Sequence, residues 1–291
     1  MSARPVDPKS FPDPFVLRVT DGYYAYGTNG NGSNVQVMFS PDLRRWTRLP
    51  DALPTLPGWA APHFTWSPAV LPRSGVYVLY YAVRDRRENR QAISVATSTH
   101  PAGPFTDGSA QPFLYQTELG GSIDPSVFVD LDGSAHLLWK ADSNAIHQPS
   151  SLWIGELSDD GLRLGSANRL LVHDAGWEQP LIEAPCLATE DGVYYLFYSG
   201  GWWNTDRYSI GYATATERLG PYRKQTSGSP WFRSDAQVSG PGGQEWFVDA
   251  EGGWQMAYHG WEPGQVNRPG AGRTLRIMPA SLASGRPEVL G

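Results

Sequence analysis

Three acidic residues stand beside prolines: Asp13 in Phe11-Pro12-Asp13-Pro14, Asp124 in Ile123-Asp124-Pro125, and Glu183 in Glu183-Ala184-Pro185. They fall at matching places in a repeat that runs through the chain. A carboxylate at the start of a strand is costly unless water or a partner satisfies it. Brought together on one axis, such groups would push some of their pKa values up and others down. A set of this kind can hold one carboxyl ionised and another protonated. That is the requirement for acid–base chemistry on neutral, hydroxyl-rich substrates. Each residue alone could equally cap a backbone turn; the trio in this order is harder to explain that way.

The repeat shows which elements must position them. Prolines open apolar strands at positions 14, 68, 125, 185 and 241, at intervals of 54, 57, 60 and 56 by subtraction. A short strand follows each proline, as in Phe15-Val16-Leu17, Ala69-Val70-Leu71 and Cys186-Leu187-Ala188. Turn dipeptides come next, such as Asp21-Gly22, Asp132-Gly133 and Asp191-Gly192, which suit hairpins. An aromatic-rich strand then interleaves apolar and polar positions, as in Tyr194-Tyr195-Leu196-Phe197-Tyr198. A third strand follows, its place in the last unit taken by residues 273–278. Weaker outer strands are expected near Gly103-Pro104-Phe105 and Gly220-Pro221-Tyr222. Five such units predict an all-β, five-bladed β-propeller rather than a β-sandwich with coincidental spacing. The predicted blades run roughly over 11–50, 64–110, 121–172, 181–226 and 238–282 of a single domain, 1–291. The first strand of each blade would line the central channel, placing the active site and its carboxylates there. No helix longer than a turn or two is expected.

Composition agrees with this reading. Charged residues make up 18% of the chain, with 32 Gly and 25 Pro, which suits short strands joined by many turns. A formal net charge of −6 offers nothing to nucleic acid. No run approaches the ~18 apolar residues of a membrane span. The N-terminal Met-Ser-Ala-Arg-Pro-Val-Asp-Pro-Lys lacks an apolar stretch. The expected location is therefore cytoplasmic, or secreted with a leader already removed. Cys186, the single cysteine, has no nearby His to activate it and reads as a small buried residue. Gly-x-Ser-x-Gly, Walker and dinucleotide glycine patterns find no support, nor does His-x-x-x-His metal spacing.

Together these segments resemble glycoside hydrolase family 43 and, more broadly, the clan of five-bladed propeller glycosidases. Phe11-Pro12-Asp13-Pro14-Phe15-Val16 is similar to the family's opening Asp-Pro motif, and Ile123-Asp124-Pro125-Ser126-Val127-Phe128 to its second. Ile182-Glu183-Ala184-Pro185 is similar to its Glu-x-Pro motif. Phe64-Thr65-Trp66-Ser67-Pro68 resembles the blade-two Trp-Ala-Pro element, with Ser in place of Ala. The likeness covers nearly the whole chain. It implies an inverting hydrolase of glycosidic bonds to pentoses, with Asp13 as general base and Glu183 as general acid. Asp124 would raise the acid's pKa and orient it. Inversion needs the two carboxyls ~6.5–9.5 Å apart, which separate blades around a channel can supply. The leading expectation is an α-L-arabinofuranosidase acting on arabinan or arabinoxylan oligosaccharides, within hemicellulose degradation. A β-D-xylosidase and an endo-α-1,5-arabinanase are alternatives within the family. Many of those xylosidases carry a C-terminal β-sandwich after the fifth blade, where this sequence stops, which tilts the expectation away from them. Fructoside-acting members of the clan usually open with Asn-Asp-Pro-Asn-Gly, unlike this chain. The alternative from another class is a non-catalytic propeller that binds glycans or proteins, which would need no acidic trio.

Further residues join the candidate site. Arg273 resembles the family's final-blade arginine near the base, and Arg276 is expected to share its face if the segment is a strand. His259, in Tyr258-His259-Gly260-Trp261, matches another family element and is a candidate for substrate binding, with a satisfied core histidine as the alternative. Trp66 is the first choice for a wall against the sugar, followed by Trp202 and Trp203 on a loop after a strand. Phe64, Trp59 and Trp139 come behind these. Lys140, Asp142 and Asn144 end a blade-three strand and could donate to sugar hydroxyls, or be solvated loop. Many family members carry Gly-Pro-Gly-His in the last blade, where the His supports an ion or water cluster. Here Gly243 takes the place of that His. An axial Ca²⁺ or Na⁺ is therefore doubtful, and no cofactor is required. The expected partner is an oligosaccharide or polysaccharide; the oligomeric state stays open.

Overall fold

The computed structural model describes residues 3–290, which form five antiparallel sheets in chain order. Blade I comprises Phe15–Val19, Gly22–Gly27, Gln36–Ser40 and Thr47–Arg48. Blade II comprises Ala60–Arg73, Val76–Asp85 and Gln91–Ser98. Blade III comprises Ser122–Val129, Ala135–Ala141, Ser151–Leu157 and Leu164–Val172. Blade IV comprises Ile182–Glu190, Val193–Gly200, Ser209–Ala215 and Arg223–Lys224. Blade V comprises Ser239–Val248, Trp254–Trp261, Thr274–Ser281 and Glu288–Val289. The first strands touch one another in order, and Phe15–Val19 meets Ser239–Val248 to close the ring. The fold is a five-bladed β-propeller. Gly103-Pro104-Phe105 opens no outer strand; blade II has three strands, and Thr106 makes only an isolated bridge to Thr97. No helix among the described residues is long and apolar enough to cross a membrane.

Apolar clusters fill the joints between neighbouring blades. Period-two alternation along the second strands builds them. Leu137 packs toward blade II, while Leu138 packs toward blade IV. Ala257 packs toward blade I, while Met256 and Tyr258 pack toward blade IV. Polar positions were expected to interleave with apolar ones here, but both faces are buried. The reason is that each blade is sandwiched between two others, so neither face of its second strand meets water. Burying one Leu this way contributes about 1.5–3 kcal/mol relative to exposure.

The first strands are irregular where they converge. In blade II, Trp66 pairs with Ala82 and Ala69 with Tyr80, so Ser67 and Pro68 oppose a single residue. The same two-against-one bulge holds Asp124-Pro125, Ala184-Pro185 and Gly243-Gln244. A bulge bends the strand and re-aims a side chain. The leading bulge residues are left-handed, with φ of 46° at Ser67, 55° at Asp124, 51° at Ala184 and 57° at Gly243; Asp13 has 53°. For a non-glycine residue this conformation costs roughly 1–3 kcal/mol, so surrounding contacts must hold it. The register corrects two expectations. The residue equivalent to Asp124 in blade IV is Ala184, so Glu183 sits one place earlier. In blade V the counterpart of the opening prolines is Gln244, which lies 244 − 241 = 3 residues beyond Pro241.

Candidate active site

Where the first strands meet, a pocket of roughly 570 Å³ is lined by Asp13, Asp124 and Glu183 together. Trp66, Trp202, Trp203 and Arg273 also line it, as do Lys140, Asp142 and Asn144.

Asp13 is fixed from two sides. Thr28 Oγ1 donates to its Oδ2 at 2.5 Å, and Arg273 Nη1 donates to its Oδ1 at 3.2 Å. Burial works against the charge, yet the neighbouring Arg273, His259 and Thr28 outweigh it and hold the carboxyl below its ordinary value. Arg273 supplies the counter-charge, because His259 is itself neutral at pH 7. Burial, reinforced by Arg273, pushes the His259 pKa down to about 3. A neutral ring has one acceptor nitrogen. His259 can therefore accept from the Asp13 amide, 2.9 Å from Nδ1, or from Arg273 Nη1, 3.1 Å from Nε2, but not from both. The ring is fully buried and stacks on Tyr208, with centroids 5.9 Å apart and planes at 4°. His259 thus lies behind Asp13 and does not line the pocket, which corrects its expected role in touching substrate.

Asp124 has a different setting. Ser67 Oγ donates to Oδ1 at 2.7 Å, and the Ala184 amide donates to Oδ2 at 3.0 Å. Burial and then the charge of Glu183 push its pKa up to about 7, with Lys140 and Ser67 offsetting part of the rise. Glu183 accepts from the Tyr208 hydroxyl at 2.9 Å on Oε1, and Lys140 Nζ lies 3.0 Å from Oε2. Lys140 is buried and also lies 3.0 Å from Asp142 Oδ1. Its burial disfavours the ammonium, but Glu183 and Asp142 more than compensate and move its pKa above the usual lysine value. The ionisable trio was expected to act through Asp124 on Glu183. Asp124 is itself displaced upward.

The two arginines part company. The Arg273 guanidinium lies 4.5 Å from the Trp203 ring centroid, facing the pocket. Arg276 is buried elsewhere, donating to the Ala3 and Gln237 carbonyls and to Glu262. They do not share a face: Arg276 lies within the strand Thr274–Ser281, whereas Arg273 stands just before it, an odd three positions away. Phe64 packs edge-to-face on Trp66, 6.1 Å away, but does not line the pocket. Trp139 is buried between blades II and III, and the Trp59 indole donates to Ser109 Oγ; neither reaches the pocket. Sequence reasoning missed Thr28, Tyr208 and Trp261, all of which line it. Trp261 was within reach of it, two residues past His259 on the same strand.

The position of Gly243 bears on an axial ion. A Cβ there would lie 2.5 Å from His259 Cε1 and 2.6 Å from its Nδ1, so a side chain at 243 does not fit beside this His259. Among the described residues, no group of three or more His, Cys, Asp or Glu is placed to hold a metal. The described residues do not build an ion site.

The family model for glycosyl hydrolases family 43 matches residues 2–287. A β-D-galactofuranosidase of Aspergillus niger is 30% identical over 239 residues, covering 76% of this chain and 65% of that protein. An extracellular exo-α-(1→5)-L-arabinofuranosidase of Cellvibrio japonicus is 27% identical over 215 residues, covering 65% of this chain and 58% of that protein. The chain therefore spans less than two-thirds of the length of either relative. The crystal structure of a thermostable family-43 glycoside hydrolase matches with a TM-score of 0.87 at 28% identity, over 100% of this chain and 96% of that one.

Proposed function

Because the chain belongs to glycoside hydrolase family 43, we propose that it is an inverting exo-acting hydrolase that releases α-L-arabinofuranose from arabinan or arabinoxylan oligosaccharides. The observation that carries this reading is the convergence of Asp13, Asp124 and Glu183 on one pocket, in three different electrostatic settings. Asp13, kept ionised by Arg273, takes a proton from water as that water attacks the anomeric carbon. Glu183 gives a proton to the departing glycosidic oxygen. The bond to the leaving sugar breaks as the bond to water oxygen forms on the opposite face, so the anomer inverts. Asp124 acts through the backbone. It accepts the amide of Ala184, the residue next to Glu183, and so fixes the segment that carries the acid. Lys140 stands between Glu183 and Asp142 and can shift its contact to Asp142 when Glu183 carries a proton. Trp66, Trp202, Trp203 and Trp261 offer indole faces for the apolar face of a sugar. The choice of arabinofuranose follows the Cellvibrio relative's activity and is the finer part of the proposal.

The test uses aryl α-L-arabinofuranoside and aryl β-D-xyloside substrates, with Glu183→Ala alongside the wild type and NMR to identify the first-formed anomer. We expect arabinofuranoside cleavage with inversion. Loss of the acid should lower the rate ~10²–10⁴-fold on poor leaving groups. Turnover of neither substrate by the wild type, or a full rate in the variant, overturns the catalytic roles. Preferred turnover of the xyloside overturns only the choice of sugar.

A further inference from the structure

Four left-handed residues other than glycine line the pocket. Asp13, Ser67 and Asp124 belong to the catalytic floor. The fourth, His63 with φ of 70°, has no part in the steps above. In its strand, Ala60 pairs with Asp85 and Thr65 with Val83, so residues 61–64 all stand opposite Arg84. A bulge of this size bends the strand. It leaves the His63 imidazole exposed and lining the pocket. A left-handed backbone is strained for a residue with a Cβ, and strain of this kind collects at functional sites. Asn29 reaches the same part of the pocket from blade I. Its amide donates to the Thr65 carbonyl at 2.9 Å, two residues along from His63, and its half-buried side chain lines the pocket too. Among the described residues, neither side chain has a hydrogen-bond or ion-pair partner.

Their place in the ring says which part of a substrate they meet. The first strands touch in order from blade I to blade V, and V closes on I. Blade IV therefore neighbours III and V, and the joint between I and II lies across the axis from it. Glu183 is on blade IV, and its partners are Tyr208 of the same blade and Lys140 of blade III. The departing oxygen is met by Glu183, so the leaving group lies on that side. His63 and Asn29 face the end of the cleaved sugar that is farthest from the breaking bond. An imidazole and a carboxamide can each donate and accept, which suits a hydroxyl. In an arabinofuranoside the group at that end is the exocyclic hydroxymethyl on C4. A xylopyranoside has no such group, because its fifth carbon is part of the ring.

We infer that His63 and Asn29 are specificity-determining residues that hold the exocyclic hydroxyl of the cleaved furanose and so favour it over a xylopyranose. The inference rests on the hydrolase reading above and deepens it. Its test measures kcat/KM on the para-nitrophenyl α-L-arabinofuranoside and on its 5-deoxy analogue, which lacks only that hydroxyl. His63→Gly and Asn29→Ala are compared with the wild type on both. Glycine takes a left-handed φ without steric cost, so His63→Gly keeps the bulge and should unfold near the wild-type temperature. The wild type should be about tenfold slower on the analogue. Each variant should lose about fivefold on the arabinofuranoside and less than about twofold on the analogue, where the contact is already gone. Equal losses on both substrates, or an unchanged rate on the arabinofuranoside, overturn the inference and leave the hydrolase reading standing. A wild type that cleaves neither substrate overturns the hydrolase reading, and the inference falls with it.

Discussion

Asp13 and Asp124 share one backbone device and meet opposite fates. Each is a left-handed residue immediately before a proline at the convergence of the blades, with φ of 53° and 55°. Each carboxylate accepts a hydroxyl donor, from Thr28 and Ser67 respectively. The two settings are also joined, since the Ser67 amide donates to Thr28 Oγ1 at 3.0 Å. Yet Asp13 is held below the ordinary carboxylate range, while Asp124 is raised to about 7. Burial opposes charge at both. What separates them is the company across the joint: Arg273 beside Asp13, and Glu183 beside Asp124. The repeat therefore supplies position, and the neighbouring blade supplies protonation state.

The contrast can be broken most severely at Asp13. Asp13→Ala should lower kcat by ~10²–10⁴ on activated and natural substrates alike, because both need an activated water. Asp13→Ala retaining the wild-type rate on the natural substrate would show that water activation lies elsewhere.

Arg273→Met should sharpen the contrast next. Arginine favours the ionised form of Asp13, so its loss raises that pKa and moves the acid limb of the kcat/KM profile to higher pH. The variant should lose more activity at pH 5 than at pH 8. An unmoved acid limb would mean that Arg273 does not set the charge of Asp13.

For Asp124 the sharper readout is stability. Its folded pKa of about 7 lies above the unfolded value of 3.8, so the folded state binds more protons through that window. The contribution of Asp124 to wild-type stability then falls as pH rises from about 4 to 7. Asp124→Asn removes this dependence and keeps an acceptor for the Ala184 amide. Its stability relative to wild type should improve between pH 4 and pH 8, by at most about 4 kcal/mol. Denaturant titrations at the two pH values that give parallel changes would contradict the raised pKa.

Ser67→Ala should have the smallest effect. It removes one donor to Asp124 and costs roughly 1 kcal/mol. The Thr28 link survives, because Ser67 reaches Thr28 through its amide. A pH-dependent change in thermal midpoint, with kcat/KM altered less than tenfold, is the expected pattern.

Much of this arrangement was legible in the chain. An Asp before a proline at the head of an apolar strand is visible because bulge, left-handed turn and proline occupy consecutive residues. Cys186 was read as inert, and it is buried in the joint between blades IV and V with its thiol pushed up by burial. The offset of Glu183 was not legible, since a bulge inserts a residue without a sequence marker of its own. Tyr208 and Thr28 were missed because their partners are a Glu and an Asp elsewhere in the chain, 25 and 15 residues away. The aromatic second strands misled for a related reason. Tyr80, Tyr81, Tyr195 and Tyr198 look half polar in sequence, yet all are buried once neighbouring blades close over them.

Four joints of the ring are spanned by connecting loops; the joint between blades V and I is not. It is held by the Val6 amide on Leu275 at 2.9 Å, the Phe11 amide on Arg273 at 2.7 Å, and the Phe11–Leu275 apolar cluster. Asp13 lies on one bank of that seam and its counter-ion on the other. Opening there would part Asp13 from Arg273 while every sheet stayed intact.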